Sequence, residues 1–246
     1  GALAAGCSIV IKPSEETAGV ALHIARAVQD AGVPDGVVNM VFGDPAEIAD
    51  LLCADPRIAM VTFTGATSVG KIIGAKAAAT MKRTTLELGG HAPVVVCDDV
   101  DVDRIVRMAV ATKYRNGGQV CTSPTRFLVQ APIFEAFCEK FIVGARALTV
   151  GDPFDSATQM GPLKNLRRLE AIDHMVQDAK TRGLSVATGG ERIGSEGFFY
   201  KPTVILQPGI ACDAATIEPF GPIALISPFD QLDEAIAEAN RLPFGL

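Results

Sequence analysis

The sequence predicts an α/β protein in two parts: a partial doubly wound domain over residues 1–90, followed by a second α/β domain over residues 91–246. Two features point there. Short, continuous runs of β-branched residues mark strands buried on both faces, as parallel strands are. Stretches of helical period separate these runs, and glycine or proline stands at most of the switches. The composition agrees: 48% hydrophobic and 20% charged, with only 6% aromatic residues and no Trp, the profile of an Ala/Val/Gly-rich soluble α/β protein.

Taken in order, Ser8 to Ile11 is a buried strand closed by Lys12-Pro13. Ser14 or Thr17 caps the next helix, whose first turn carries Glu15 and Glu16. Val20, Ile24 and Val28 set its buried stripe and Gly32 stops it. A strand at Val37 to Val41, a short helix at Glu47 to Cys53, a strand at Met60 to Thr64, a helix from Thr67 to Ala79 and a strand at Thr84 to Leu88 complete the first part. In such sheets ligands bind beyond the carboxyl ends of the strands, where Lys12, Glu15 and Gly65 stand. The second part reads as a strand at Pro93 to Val96 and a helix from Asp101 to Tyr114 with Val102, Ile105, Val106, Ala109 and Val110 inward. A strand at Arg126 to Val129 and helices at Ile133 to Leu148 and Leu163 to Arg182 follow. Strands at Thr203 to Leu206 and Ile223 to Ser227 and a helix at Leu232 to Leu242 close it.

A net charge of −6 disfavours a nucleic-acid partner. No apolar run approaches the ~18–20 residues of a membrane span, and no signal-peptide pattern is seen. The six cysteines are scattered without a C-x-x-C pair, which argues against a zinc site or a disulfide framework and for a reducing cytoplasm.

One of those cysteines stands apart. In Arg115-Asn116-Gly117-Gly118-Gln119-Val120-Cys121-Thr122-Ser123 an apolar helix gives way to two glycines, and Cys121 then follows among small and polar neighbours. Glycine lets backbone N–H groups approach a thiolate or a developing oxyanion. A buried structural cysteine is the plainer alternative. A second stretch, Thr85-Leu86-Glu87-Leu88-Gly89-Gly90, brings a carboxylate to the end of an apolar run, before two more glycines.

Together these stretches resemble the aldehyde dehydrogenase superfamily. Leu86-Glu87-Leu88-Gly89-Gly90 is similar to the motif of its general base and Gly118-Gln119-Val120-Cys121 to that of its nucleophile, with 87 and 121 lying 34 residues apart. Lys12-Pro13-Ser14-Glu15, Phe63-Thr64-Gly65 and Glu218-Pro219-Phe220-Gly221-Pro222 also match, in the family's order. The resemblance implies that residues 1–90 are the C-terminal part of a dinucleotide-binding domain and 91–246 a catalytic domain truncated at its C-terminal end. It also implies a thiohemiacetal and then a thioester on Cys121, with Glu87 drawing a proton from water, a task suited to a carboxylate lifted toward neutral pH by an apolar site. Lys12, Ser14, Glu15, Phe63, Gly65, Ala66, Val69, Gly70 and Leu88 are expected along the cofactor, with Glu218 and Phe220 at its nicotinamide ribose and ring. No metal is expected.

Glu15 tips the expected cofactor toward NAD, because a carboxylate there repels a 2′-phosphate, with NADP left open. Ala66 departs from the family, which usually has Ser after that glycine, and His91 replaces a common Lys. Arg115, six residues before Cys121, resembles the members that act on succinate semialdehyde: a guanidinium there suits a carboxylate at the far end of the substrate. An ordinary surface ion pair is the alternative. Family members are longer, so the sequence reads as an internal fragment, inactive alone for want of the family's upstream oxyanion Asn, of an enzyme expected to be a homo-oligomer, dimer or tetramer. Two other readings stand beside it: a P-loop-type NTPase, from Gly65 to Ile72 and the acidic strand end at Asp98 and Asp99, and a catalytically inactive homologue.

Overall fold

A computed structural model describes residues 1–246. The chain divides into two units, Gly1–Leu88 and Gly89–Leu246.

In the first unit, strand β1 (Ile9–Ile11) leads through a 3-10 turn, Glu15–Thr17, into helix α1 (Ala18–Asp30), then β2 (Val38–Met40), α2 (Pro45–Ala54), β3 (Met60–Thr64), α3 (Thr67–Ala79) and β4 (Arg83–Glu87). α2 starts where local chemistry directs it: Asp44 accepts from the Ala46 and Glu47 amides at 2.9 Å, and Pro45 needs no donor at the first helical position. The strands make two separate parallel pairs, β1 with β2 and β3 with β4, where the sequence reads as one wound sheet. The core under α3 is Cys53, Ile73 and Ala77, packed by Val61, Phe63 and Leu86.

Two expectations for this unit are corrected. Ser14 caps the 3-10 turn, accepting from the Glu16 amide at 3.3 Å, and Thr17 makes no side-chain cap on α1. The inward face of α1 is Ala18, Ala21, Ala25 and Val28, while Val20 and Ile24 are exposed. Both sets repeat at helical spacing, and the small side chains occupy the packed side.

The second unit runs β5 (Pro93–Val96), α4 (Val102–Tyr114), β6 (Arg126–Gln130), α5 (Ala131–Arg146), α6 (Leu166–Thr181), β7 (Ser185–Thr188), β8 (Thr203–Leu206), the short α7 (Asp213–Thr216), β9 (Ile223–Phe229) and α8 (Leu232–Ala239). Asp101 caps α4 by accepting from the Arg104 amide, Asn165 caps α6 through the Arg168 amide, and Gln231 and Glu234 form a capping box on α8. Both α6 and α8 are shorter than the sequence suggests. The five strands form one sheet in the order β5-β6-β9-β8-β7, parallel except for β7, an edge strand absent from the sequence reading. One core layer packs α4 and α5 on the sheet around Phe127, Phe137 and Phe141; another packs α6 and α7 around Ile172, Ile205 and Ile223. No helix is long and apolar enough to cross a membrane.

Candidate active site

In the first unit, the residues expected along a cofactor gather at the carboxyl ends of β1 and β3. Lys12 follows β1 and donates to Glu15 Oε2 at 2.6 Å; the lysine is partly buried and the carboxylate exposed. After β3, the Gly65 amide donates to the Glu87 carbonyl at 3.0 Å, tying the two strand ends together. At 65 and 70 a side chain would have to displace its neighbour. A Cβ on Gly65 would stand 2.5 Å from the Phe63 ring, and one on Gly70 would overlap the Leu88 side chain. Phe63 with Gly65 and Leu88 with Gly70 therefore form two closely packed pairs.

Ala66 is the N-cap of α3, extended at φ −61° and ψ 139°, and offers no side-chain acceptor. The first-turn amides are left to a ligand or to water, on a helix end that favours negative charge. Those open donors suit the phosphates of a dinucleotide, and the Lys12–Glu15 pair suits a ribose. Val69 is exposed on the same turn.

They do not fit a P-loop. Residues 67–72 are already helical, so Lys71 lies inside α3 rather than at the mouth of a loop. Asp98 and Asp99 follow β5, which belongs to a different sheet from β3. Glu87 also departs from expectation. It is exposed, because the alternation along β4 turns Leu86 inward and Glu87 out, so no apolar pocket surrounds it.

In the second unit the candidate residues lie at the amino ends of three neighbouring parallel strands. Gly89-Gly90-His91 precedes β5, the Cys121 loop precedes β6, and Glu218 to Pro222 precedes β9. The Cys121 loop opens with three successive residues in the left-handed region: Asn116 at φ +54°, Gly117 at +61° and Gly118 at +72°. The Gln119 side chain pins it, with Nε2 donating to the Asn116 carbonyl at 3.0 Å and Oε1 accepting from the Lys164 amide at 2.9 Å. A Cβ on Gly118 would overlap the Gly221 carbonyl, and one on Gly90 would come 2.9 Å from the Cys121 carbonyl. Backbone from all three loops is thus packed around a half-buried Cys121.

Glu218 sits beside the first glycines, with Oε1 accepting from the Gly90 amide at 3.2 Å. Burial pushes its acid strength down, while that amide and the charges of Arg168 and Lys113 oppose the shift. Phe220 holds φ +46°, a strained position for an aromatic residue. Arg168 from α6 braces it: its guanidinium lies 5.5 Å over the Phe220 ring and Nη1 donates to the Pro219 carbonyl at 3.0 Å. Lys113, on the last turn of α4, is 1% exposed. Its Nζ donates to Ser123 Oγ at 3.3 Å, and burial draws it down to about 7 against the pull of Glu218.

His91 is buried and structural in character. Nε2 meets the Ala214 carbonyl at 3.0 Å, Nδ1 has no partner, and burial lowers it to about 4. Arg115 is exposed and makes no ion pair, so the surface-pair alternative has no counterpart. Lys113 and Arg168 are absent from the sequence reading, although a signal existed for the first: Lys113 stands seven residues after Val106 and four after Ala109, in register with the buried stripe of α4.

Residues 1–246 match the model of the aldehyde dehydrogenase family along their whole length. Among curated relatives, a 4-(hydroxymethyl)benzenesulfonate dehydrogenase of Comamonas testosteroni is 46% identical over 252 residues, covering 100% of this chain and 51% of the relative. The mitochondrial succinate-semialdehyde dehydrogenase of Mus musculus is 41% identical over 249 residues, covering 100% and 48%. Among solved structures, an NAD-dependent aldehyde dehydrogenase of Sinorhizobium meliloti superposes with a TM-score of 0.95 at 39% identity, over 98% of this chain and 48% of that one. The chain spans about half the length of the curated relatives it matches.

Proposed function

The chain belongs to the aldehyde dehydrogenase family, and on that premise we propose that the protein oxidises an aldehyde to a carboxylate, with Cys121 as nucleophile and Glu87 as general base. The observation that carries the reading is the packing of backbone from three loops around Cys121, with glycine wherever a Cβ would collide. Cys121 Sγ bonds to the aldehyde carbon, and the oxyanion so formed needs fixed donors. NAD or NADP, when bound, would supply the acceptor for the hydride that this carbon gives up. The resulting thioester on Cys121 is hydrolysed by a water from which Glu87 takes a proton, releasing the carboxylate and freeing the thiol. The exposed position of Glu87 suits a base that must hand its proton on to solvent. Lys12, Glu15 and the amides opening α3 would hold the adenosine ribose and the phosphates, and Glu218 and Phe220 the nicotinamide end.

Arg115 supports an aldehyde bearing an anionic group at its far end, succinate semialdehyde or a related ω-carboxy aldehyde. An exposed guanidinium without a partner retains its fork for a bidentate anion. Of the two relatives above, one is named for a substrate carrying a carboxylate and the other for one carrying a sulfonate. The test is NADH formation by the intact protein with succinate semialdehyde and with a neutral aldehyde of similar length. Cys121→Ala is expected to abolish turnover of both. Arg115→Ala is expected to lower kcat/KM for the acid aldehyde about 10–100-fold, the worth of a hydrogen bond to a charged group, and to leave the neutral one unchanged. Equal effects on both aldehydes would sink the substrate; turnover that survives Cys121→Ala would sink the mechanism.

A further inference from the structure

Lys113 is a buried cation that the chemistry above does not use. A methionine would fill the same space without the cost of desolvating an ammonium. The polar surroundings of Nζ therefore become the question. Its hydrogen-bond partner, Ser123 Oγ, stands two residues after Cys121. On the other arm of the loop, three residues before Cys121, a Cβ added at Gly118 would come 3.2 Å from Nζ. Ser123 Oγ also reaches back to the Lys113 carbonyl at 3.4 Å, so the contact is made at both ends of the residue. Two titratable groups are linked to the amine across the packing: Glu218, from the loop before β9, favours its charge, and the amine in turn disfavours protonation of His91, from the loop before β5.

We propose that Lys113 is a positioning residue for Cys121: its Nζ is the internal support between the two arms of the loop, and the hydrogen bond to Ser123 sets how the thiol is presented. The inference rests on the reading of Cys121 as nucleophile. Lys113 bonds to a neighbour of Cys121 and takes no part in the reaction itself.

The experiment is alkylation of Cys121 by iodoacetamide in the intact protein, followed by peptide mass spectrometry from pH 6 to 9. It compares wild type with Lys113→Met, Ser123→Ala and the double variant, alongside urea unfolding of each. Lys113→Met is expected to keep or raise the urea midpoint, because a buried charge is gone. The alkylation rate is expected to fall at least fivefold, because the loop no longer holds the sulfur in its presented orientation. The wild-type rate is expected to show an inflection near pH 7, where Lys113 loses its proton, which Lys113→Met removes. Ser123→Ala is expected to slow alkylation in the same direction. The double variant should be no slower than Lys113→Met alone, since both act through one bond. Rates and pH profiles of both single variants that superimpose on wild type would overturn the proposal. Should Lys113→Met fail to fold, Ser123→Ala decides: a slowed rate upholds the role and an unchanged rate rejects it. The assay uses neither aldehyde nor cofactor, so its failure is distinct from failure of NADH formation.

Discussion

The sharpest quantitative consequence of the loop packing concerns two adjacent glycines. Gly117 and Gly118 both hold the left-handed conformation, at φ +61° and +72°, which costs an L-residue about 1–2 kcal/mol. They differ in what a side chain would meet. At Gly117 the nearest atom to an added Cβ is Gln119 Nε2 at 3.3 Å, the far end of a side chain that is able to move. At Gly118 the Cβ would lie 2.7 Å from the Gly221 carbonyl carbon and closer still to its oxygen. That backbone is fixed, because a Cβ on Gly221 would in turn strike Ile172. Forcing such an overlap in a packed region costs about 1–3 kcal/mol. Gly117→Ala should therefore destabilise by about 1–2 kcal/mol, and Gly118→Ala by about 2–5 kcal/mol. Urea unfolding of the intact protein measures both. Equal midpoints for the two variants would refute the reasoning, since they would show that the loops before β6 and β9 yield to one another.

Three further outcomes are expected. Burial holds His91 near 4 against 6.5 in the unfolded chain, so the unfolded state binds its proton first as pH falls. The contribution is whole above pH 6.5 and is lost between 6.5 and 4, by up to about 3 kcal/mol; urea midpoints across that window should fall more for wild type than for His91→Gln. Ala66→Ser supplies the missing cap of α3 and should stabilise its first turn by about 1 kcal/mol, read as slower amide exchange at Ser68 and Val69. Arg168→Met removes the cation over Phe220 and the donor to Pro219, contacts made within the folded chain; a loss of about 1–2 kcal/mol should appear as a lower urea midpoint, and release of Phe220 should weaken NADH binding, followed by its fluorescence.

Met60 to Thr64, Pro93 to Val96 and Thr203 to Leu206 stand where apolar runs stand in the sequence, but only Thr203 to Leu206 is covered on both faces; the other two alternate, with Val61 and Phe63, and Val94 and Val96, turned inward. β7 escapes because Ser185–Thr188 is a short edge strand with little apolar surface to hide. α1 shows the other limit. Helical periodicity allows Val20 and Ile24 or Ala21 and Ala25 as the inward set, and only the closeness of the packing chooses alanine. Around the candidate site, the order of glycines and the cysteine marks which segments matter, since close backbone approach leaves that trace. Lys113 and Arg168 leave none of comparable clarity: one sits within an apolar stripe and the other beside the exposed Arg167, with its partners supplied by a loop 51 residues on. The exposure of Glu87 is equally invisible, because neighbouring leucines say nothing about the face on which it emerges.

The strand order β5-β6-β9-β8-β7 also sets a timetable. β6 has no neighbour on its inner side until β9 arrives, about 100 residues later in the chain. At a synthesis rate of ~5–20 residues per second, that interval is roughly 5–20 s. During it the Cys121 loop lacks Gly221 to lean on and Glu218 to face, and Phe127 and Leu128 wait uncovered along one strand edge. Closure of a sheet by its latest long strand is a high-contact-order event and therefore a slow one. A ribosome-bound chain whose emerged part stops before residue 217 should expose its thiol and that unpaired edge to any reagent or chaperone, and emergence of the chain through Phe229 should withdraw both at once.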